Sequence, residues 1–230
     1  MNLNLLKQCA AEFVGTFTLI FIGVGAIANN VPTAGLGLLG VALAHGLAIA
    51  VMVSATGAIS GGQLNPAVTF GLLIGGQMDV KKTIAYWISQ LAGATAAALL
   101  CGSLLGMAKV AGGTPDIGVG PTGSAVVSTG QAIVIEAVLT FFLVFVVYGS
   151  AVDARAPKIG GLAIGLTVAL DILFGGPLTG AAMNPARTFG PALASGHWNN
   201  HIVYWLGPLI GGALAGLIYG RFLIKESKVG

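Results

Sequence analysis

Two matched tripeptides carry most of the chemistry this chain can do. Asn65-Pro66-Ala67 and Asn184-Pro185-Ala186 are one cassette repeated 119 positions apart. An asparagine brings a side-chain donor and acceptor and favours the N-cap of a helix. A proline suits the first helical turn, where no intrahelical N–H bond is lost. Arg187 follows the second asparagine by three residues and adds a permanent charge with five donors. Glu12, Glu136, His45 and Asp171 are titratable groups within apolar runs, where such residues are expensive and mark a site by default. The chemistry these types support is recognition of a small polar solute by hydrogen bonds and charge. No His pair, Ser–His–Asp set or metal cluster falls within the apolar runs, so neither enzyme activity nor a cofactor or metal is expected.

Membrane spans are the elements that must position these groups. Of 230 residues, 7% are charged and 56% hydrophobic, with a mean hydropathy of +0.93. A soluble domain carries about 25% charged residues. A surface this poor in charge must meet lipid, so the bilayer is an expected partner. Long apolar runs lie at 10–28, 36–56, 83–106, 131–151, 159–176 and 202–223. Each suffices to cross a core of about 30 Å as a helix, the fifth barely. The pieces between them, among them "NNVPTAG", "AGGTPDIGVGPTGS" and "SGHWNN", read as loops. Most of the 37 glycines fit close helix packing. Cys9 and Cys101 suggest neither a disulfide nor a metal site. The first apolar run is long and carries Glu12, which makes it a span rather than a signal peptide.

Charge sets the expected orientation. Net charge is +3, with no basic run interleaved with aromatics, which argues against nucleic acid. Lys7, Lys81, Lys82, Arg155, Lys158, Arg221, Lys225 and Lys228 flank one side of a six-span arrangement, and Lys109 the other. The positive-inside bias puts both termini in the cytoplasm. The expected location is a plasma (inner) membrane rather than an organelle.

The two halves match beyond the cassettes. A shift of 119 lays Gly46, Gly57 and Gly61 on Gly165, Gly176 and Gly180, and Thr69-Phe70-Gly71 on Thr188-Phe189-Gly190. A similar shift lays "AYWISQLAGA" on "VYWLGPLIGG", and Glu12 in the first span pairs with Glu136 in the fourth. Each half holds three spans, so the second enters the membrane from the opposite side. The expected organisation is one channel domain over 1–230, with halves of about 1–112 and 130–230 joined by a loop over 111–130. "PAVTFGLLIGG" and "PARTFGPALAS" are about ten residues each, enough for ~15 Å of helix, half the core. Butted N-terminus to N-terminus, they complete one pseudo-span. The stretches before them, "AISGGQL" and "PLTGAAM", read as non-helical, which membrane depth tolerates only inside protein or beside a wet cavity. The fold class is an all-α membrane protein of six transmembrane helices plus two half-helices in an inverted repeat.

On the doubled Asn-Pro-Ala, Arg187 and the paired glutamates, the chain resembles the aquaporin (major intrinsic protein) family along nearly its whole length. The resemblance implies a pore in each subunit and a homotetramer. Asn65 and Asn184 would offer side-chain N–H groups at the midplane. The carbonyls of Gly61, Gly62, Gln63 and Leu64, and of Gly180, Ala181, Ala182 and Met183, would form a ladder of acceptors. Water entering without such partners would lose on the order of several kcal/mol. Both half-helix N-termini carry partial positive charge and oppose cations, hydronium included. For Glu12 and Glu136 a proton relay is one reading; the resemblance favours the other, anchors that accept N–H groups from the irregular loops before the cassettes.

The resemblance also assigns a filter to His45, Ile172, Ala181 and Arg187, a set similar to that of tonoplast-type members, some of which pass ammonia. Thr188, Ala192, Tyr204 and Trp205 match the water-conducting pattern rather than the glycerol one. The expected function is a passive water channel that excludes protons and ions, with ammonia as a further candidate solute. A glycerol or urea facilitator is the alternative, and a secondary transporter a weaker one. The loop over 111–130 has no histidine, which weighs against ammonia. Asp171 is expected either to hydrogen-bond within the bundle or to bias a proton onto His45. His197 and His201 read as loop residues, with pH gating left open.

Overall fold

The computed structural model describes residues 3–30, 35–157 and 159–224. Lys158, Lys225 and Lys228, used above for orientation, lie outside the described residues, as do residues 31–34 of the first loop. Nine α-helices are described: α1 (Leu3–Ala28), α2 (Gly37–Ser60), α3 (Pro66–Ile74), α4 (Val80–Leu105), α5 (Met107–Gly113), α6 (Thr129–Val147), α7 (Leu162–Thr179), α8 (Pro185–Ser195) and α9 (Val203–Ala215). Wider π-helical turns extend α6 through Val152 and α9 through Leu223. Six helical stretches are long and apolar enough to cross a membrane. Apart from one isolated bridge between Val119 and Ala125, no β-structure occurs among the described residues.

Local chemistry explains the boundaries. Asp79 caps α4 by accepting the Lys82 N–H. Ser128 and Gln131 form a reciprocal capping box at α6. Gly61 and Gly180 end α2 and α7 in the left-handed region, at φ 95° and 79°. The helices outrun the apolar segments, because backbone hydrogen bonding carries them past the lipid-crossing part. Thus α1 starts at Leu3 rather than residue 10, and α2 and α7 continue to Ser60 and Thr179. That corrects the reading of "AISGGQL" and "PLTGAAM": only 61–64 and 180–183 are irregular. Pro177 lies inside α7 without ending it. The loop expected over 111–130 is likewise shorter, because α5 takes in Ala111–Gly113.

Pairings repeat between the halves: α1 packs on α4 as α6 packs on α9, and α2 packs on α7. The α2–α7 crossing runs through Gly46 and Gly165, the two glycines matched by the 119 shift. A Cβ on Gly46 would sit 2.5 Å from the Gly165 carbonyl oxygen, closer than atoms tolerate. Each span turns one face inward and one outward. On α2, Val41, His45, Ile49 and Val53 are buried, while Leu39, Leu43, Leu47 and Val51 are exposed apolar residues one helical turn apart. An outward stripe of this kind suits lipid.

The two π-helical ends are pinned to each other. Tyr148 and Tyr219 stack at 5.6 Å, and Arg155 forks onto Asp153 while reaching the Leu223 carbonyl. Arg221 donates to the Ile74 carbonyl at the end of α3. Arg155, Arg221 and the C-terminal end of α3 therefore share one side of the molecule.

Candidate functional site

Both cassettes fold as their chemistry dictates. Asn65 and Asn184 are N-caps in extended backbone, and their side-chain oxygens accept the N–H of Ala67 at 2.8 Å and of Ala186 at 3.0 Å. Pro66 and Pro185 open half-helices of nine and eleven residues. The amide nitrogens then cross between the halves. Asn65 Nδ2 donates to the Met183 carbonyl at 2.9 Å, and Asn184 Nδ2 to the Leu64 carbonyl at 3.0 Å. These bonds bring the N-termini of α3 and α8 together. Each asparagine keeps a second amide hydrogen, and both residues line a narrow internal cavity.

Two buried glutamates hold the strands that precede the caps. Glu12 accepts Ser60 Oγ (2.6 Å) and the Gln63 N–H (2.9 Å) on one oxygen, and the Leu64 N–H (2.6 Å) and Gln90 Nε2 (2.8 Å) on the other. Glu136 accepts Thr179 Oγ1 (2.7 Å) and the Ala182 N–H (2.9 Å) on one oxygen, and the Met183 N–H (2.7 Å) on the other. Tyr86 and Tyr204 brace the same turns, donating to the carbonyls of Ser60 and Thr179. With the N–H groups turned to the glutamates, Leu64, Ala181 and Met183 take positive φ, of 54°, 44° and 51°. Such backbone costs side-chain-bearing residues about 1–3 kcal/mol each and needs support of this kind.

Gly62, Gln63, Ala181, Ala182 and Met183 line the cavity. Among the described residues, no donor is paired with the carbonyls of Gly62, Gln63, Ala181 or Ala182. Leu64 and Met183 already accept the crossed amides, so the ladder is shorter than eight free rungs. Gly61 and Leu64 do not line the cavity, and Gly180 lines the wider space beside it. Apolar walls complete the cavity, with Leu19, Ile49, Val68, Leu143, Val147 and Val168 among them. It offers about 30 Å³ of space open to the centre of a water molecule. One water needs roughly 10–15 Å³ on that measure, so the cavity has room for about two waters.

A vestibule of about 400 Å³ adjoins this narrow part. His45, Ile172 and Arg187 line both spaces and so form the constriction between them, with Ala181 on the narrow side. Arg187 donates to the Gly113 carbonyl at 2.8 Å, and its other terminal nitrogen lies 3.5 Å from His45 Nε2. The 2.9 Å contact of His45 Nδ1 with the Val41 carbonyl makes Nδ1 the protonated nitrogen. The bare Nε2 then faces the arginine.

Other residues singled out above sit off the passage. Thr188 and Ala192 are buried in α8, and Tyr204 serves as a brace. Trp205 donates to His201 Nε2 and packs edge-on against Trp87. Asp171 is buried on α7 without lining the cavity, its Oδ2 has no partner among the described residues, and it makes no hydrogen bond with His45. His197 and His201 are more than loop residues. The first meets Asp116 Oδ2 at 3.0 Å; the second stacks edge-on with Trp198, and burial lowers its pKa from the ordinary histidine value. Sequence reasoning missed Ser60, Thr179, Tyr86, Gln90, Gly113 and Asp116. The 119 shift lays Ser60 on Thr179, and the "AYW"/"VYW" match lays Tyr86 on Tyr204, so three of these carried a signal.

Six spans, two capped half-helices and a narrow passage between them define a helical membrane channel fold. The major intrinsic protein family model matches residues 1–219, and the chain belongs to that family. It is 44% identical to Aquaporin TIP2-1 of Arabidopsis thaliana over 99% of its own length and 91% of the relative's. It is 46% identical to Aquaporin TIP4-1 of the same plant, covering 97% and 89% of the two chains. The X-ray structure of the aquaglyceroporin from Plasmodium falciparum superposes with a TM-score of 0.81 at 24% identity, over 96% of this chain and 97% of that one. At that identity the likeness concerns the fold.

Proposed function

We propose that this protein is a passive water channel that excludes protons and ions. The observation that carries the reading is the small cavity lined by both capped asparagines and by Ala181, which meets the vestibule at His45, Ile172 and Arg187. In this reading the spare amide hydrogens of Asn65 and Asn184 orient each passing water, and the free carbonyls replace the hydrogen bonds it leaves behind. Arg187 and the paired half-helix N-termini repel cations at the constriction and at the centre. Glu12 and Glu136 act as anchors of the two strands, and no catalytic step is assigned to any residue. One channel domain spans the chain, with repeat halves of about 1–112 and 130–230.

The decisive experiment is osmotic shrinkage of proteoliposomes followed by stopped flow. A channel gives rapid, non-saturating water flow with a low activation energy. Saturable flux coupled to an ion gradient would refute the reading and favour a transporter.

Ammonia is a second proposed solute, favoured by Ile172 and Ala181 at the constriction, which leave an apolar wall opposite His45 and Arg187. Glycerol and urea remain secondary. The protein is an integral multi-pass membrane protein. With Lys7, Lys81, Lys82, Arg155 and Arg221 at one side, both termini are assigned to the cytoplasm. The tonoplast-type relatives argue against the plasma membrane expected above. A homotetramer is proposed from family membership.

A further inference from the structure

Arg187 is held with surprisingly little. Of its five donors, only the bond to the Gly113 carbonyl is shorter than 3 Å among the described residues. Gly113 ends α5, and the chain from there to Gly118 runs as a strap along the vestibule, where Gly113, Thr114, Pro115 and Asp116 form part of the wall. Its far end is fixed to α7 by the Gly118 N–H, which donates to the Leu178 carbonyl at 2.9 Å. Beside Gly113 it is tied back to α5, where the Thr114 N–H and hydroxyl donate to the Ala111 and Val110 carbonyls; beyond that, it is fixed by the Asp116 side chain. Asp116 Oδ1 accepts Asn200 Nδ2 at 2.7 Å and the Ile117 N–H at 2.8 Å, and Oδ2 meets His197 Nε2 at 3.0 Å. Both partner side chains come from the turn between α8 and α9, so Asp116 clamps the strap to the C-terminal end of the half-helix that carries Arg187.

We propose that Asp116 is a positioning residue for the filter: by clamping the strap it fixes the Gly113 carbonyl, and through it the Arg187 guanidinium. Asp116 lies three positions beyond Gly113, at most about 10 Å of chain, so slack at the clamp reaches the carbonyl. The carboxylate fits the task. Burial pushes its pKa up, but the hydrogen bonds from Asn200, Ile117 and His197 outweigh that and hold it below the ordinary value. The clamp therefore stays ionised at neutral pH. Asp116 does not touch the passing file; it acts through Gly113 and Arg187.

The inference rests on the water-channel reading and is tested apart from it. Wild-type and variant proteins are compared in proteoliposomes for water, glycerol and proton permeation. Asp116→Ala is expected to keep water flux within about twofold while glycerol and proton leak rise roughly tenfold, or ~1.4 kcal/mol of lost discrimination. Asp116→Asn retains an acceptor for Asn200 and is expected to recover most of the selectivity. In an Arg187→Val background, Asp116→Ala is expected to add nothing, because the two act as one unit. Equal leak added in both backgrounds would overturn the proposal, as would unchanged selectivity in the alanine variant. Should that variant fail to insert, the double change His197→Ala with Asn200→Ala removes the partners instead and answers the same question. Absence of water flux in the wild type would strike the functional reading, not this one.

Discussion

Glu136→Gln is the sharpest test of how the passage is held open. The carboxylate takes three donors: the Thr179 hydroxyl and the Ala182 N–H on one oxygen, and the Met183 N–H on the other. An amide has only one oxygen to offer. If that oxygen keeps Thr179 and Ala182, its NH2 group faces the Met183 N–H, donor against donor. Losing a charge-assisted bond costs about 1.5–3 kcal/mol, and a buried unsatisfied donor about 1–3 kcal/mol more. Partial relaxation brings the sum to roughly 3–5 kcal/mol. For a chain of this size that corresponds to a fall in Tm of about 10 °C. Met183 is also the residue whose carbonyl takes the Asn65 amide, so the same change loosens the midplane. Thermal unfolding in detergent and stopped-flow water flux are the assays, and both should drop. A variant with wild-type Tm and wild-type flux would refute the anchor and reopen a proton-relay role for this carboxylate.

Further expectations concern the filter and the side that carries Arg155. Arg187→Val should raise proton conductance, read by a pH-sensitive dye trapped in liposomes; unchanged conductance would count against its role. His45→Phe should reduce ammonia permeation more than water permeation, whereas an equal loss would remove the case for ammonia as a second solute. Mercury should inhibit poorly, because Cys9 and Cys101 are buried between spans and neither lines the passage, and Ala181→Cys should make flux mercury-sensitive. On the side that carries Arg155 and Arg221, hydrogen bonds from Arg155 hold Asp153 down to about 2. A carboxyl depressed in the folded state stabilises above its unfolded pKa, and loses that contribution as pH falls through the folded one. Amide protection at 153–156, taken relative to the intrinsic exchange rate at each pH, should therefore stay flat from neutral pH down to about 4 and fall only below that; opening near pH 6 would contradict the clasp.

Much of the architecture was legible because membranes simplify it. Spans show as apolar runs, and the cassettes show as a repeat whose odd number of spans forces inversion. What hydropathy missed were helix ends, since α1, α2 and α7 continue on backbone bonding after the apolar run stops. Composition also misled at 58–60 and 177–179, where Gly and Pro neighbours suggested loop but Ser60 and Thr179 close their helices against Glu12 and Glu136. The braces on the glutamates are legible only when the repeat is followed to hydroxyl groups, by the shift of 119, and to phenol groups, by one of 118, as well as to glycines. Gly113 and Asp116 left no such trace. Gly113 contributes a carbonyl that every residue has, and Asp116 finds its partners 81 and 84 positions away. No local pattern encodes contacts of that range.

The crossed amides have a bearing on biosynthesis. A nascent chain that has emerged only as far as α6 carries the Leu64 carbonyl and the Asn65 amide without their counterparts, since both belong to the second cassette. Neither re-entrant hairpin can complete its tip alone, so the centre of the pore is among the last parts to form, and only once α8 has arrived. Severing the chain between the repeats should leave two fragments that settle correctly only when made together, each serving as the template against which the other sets.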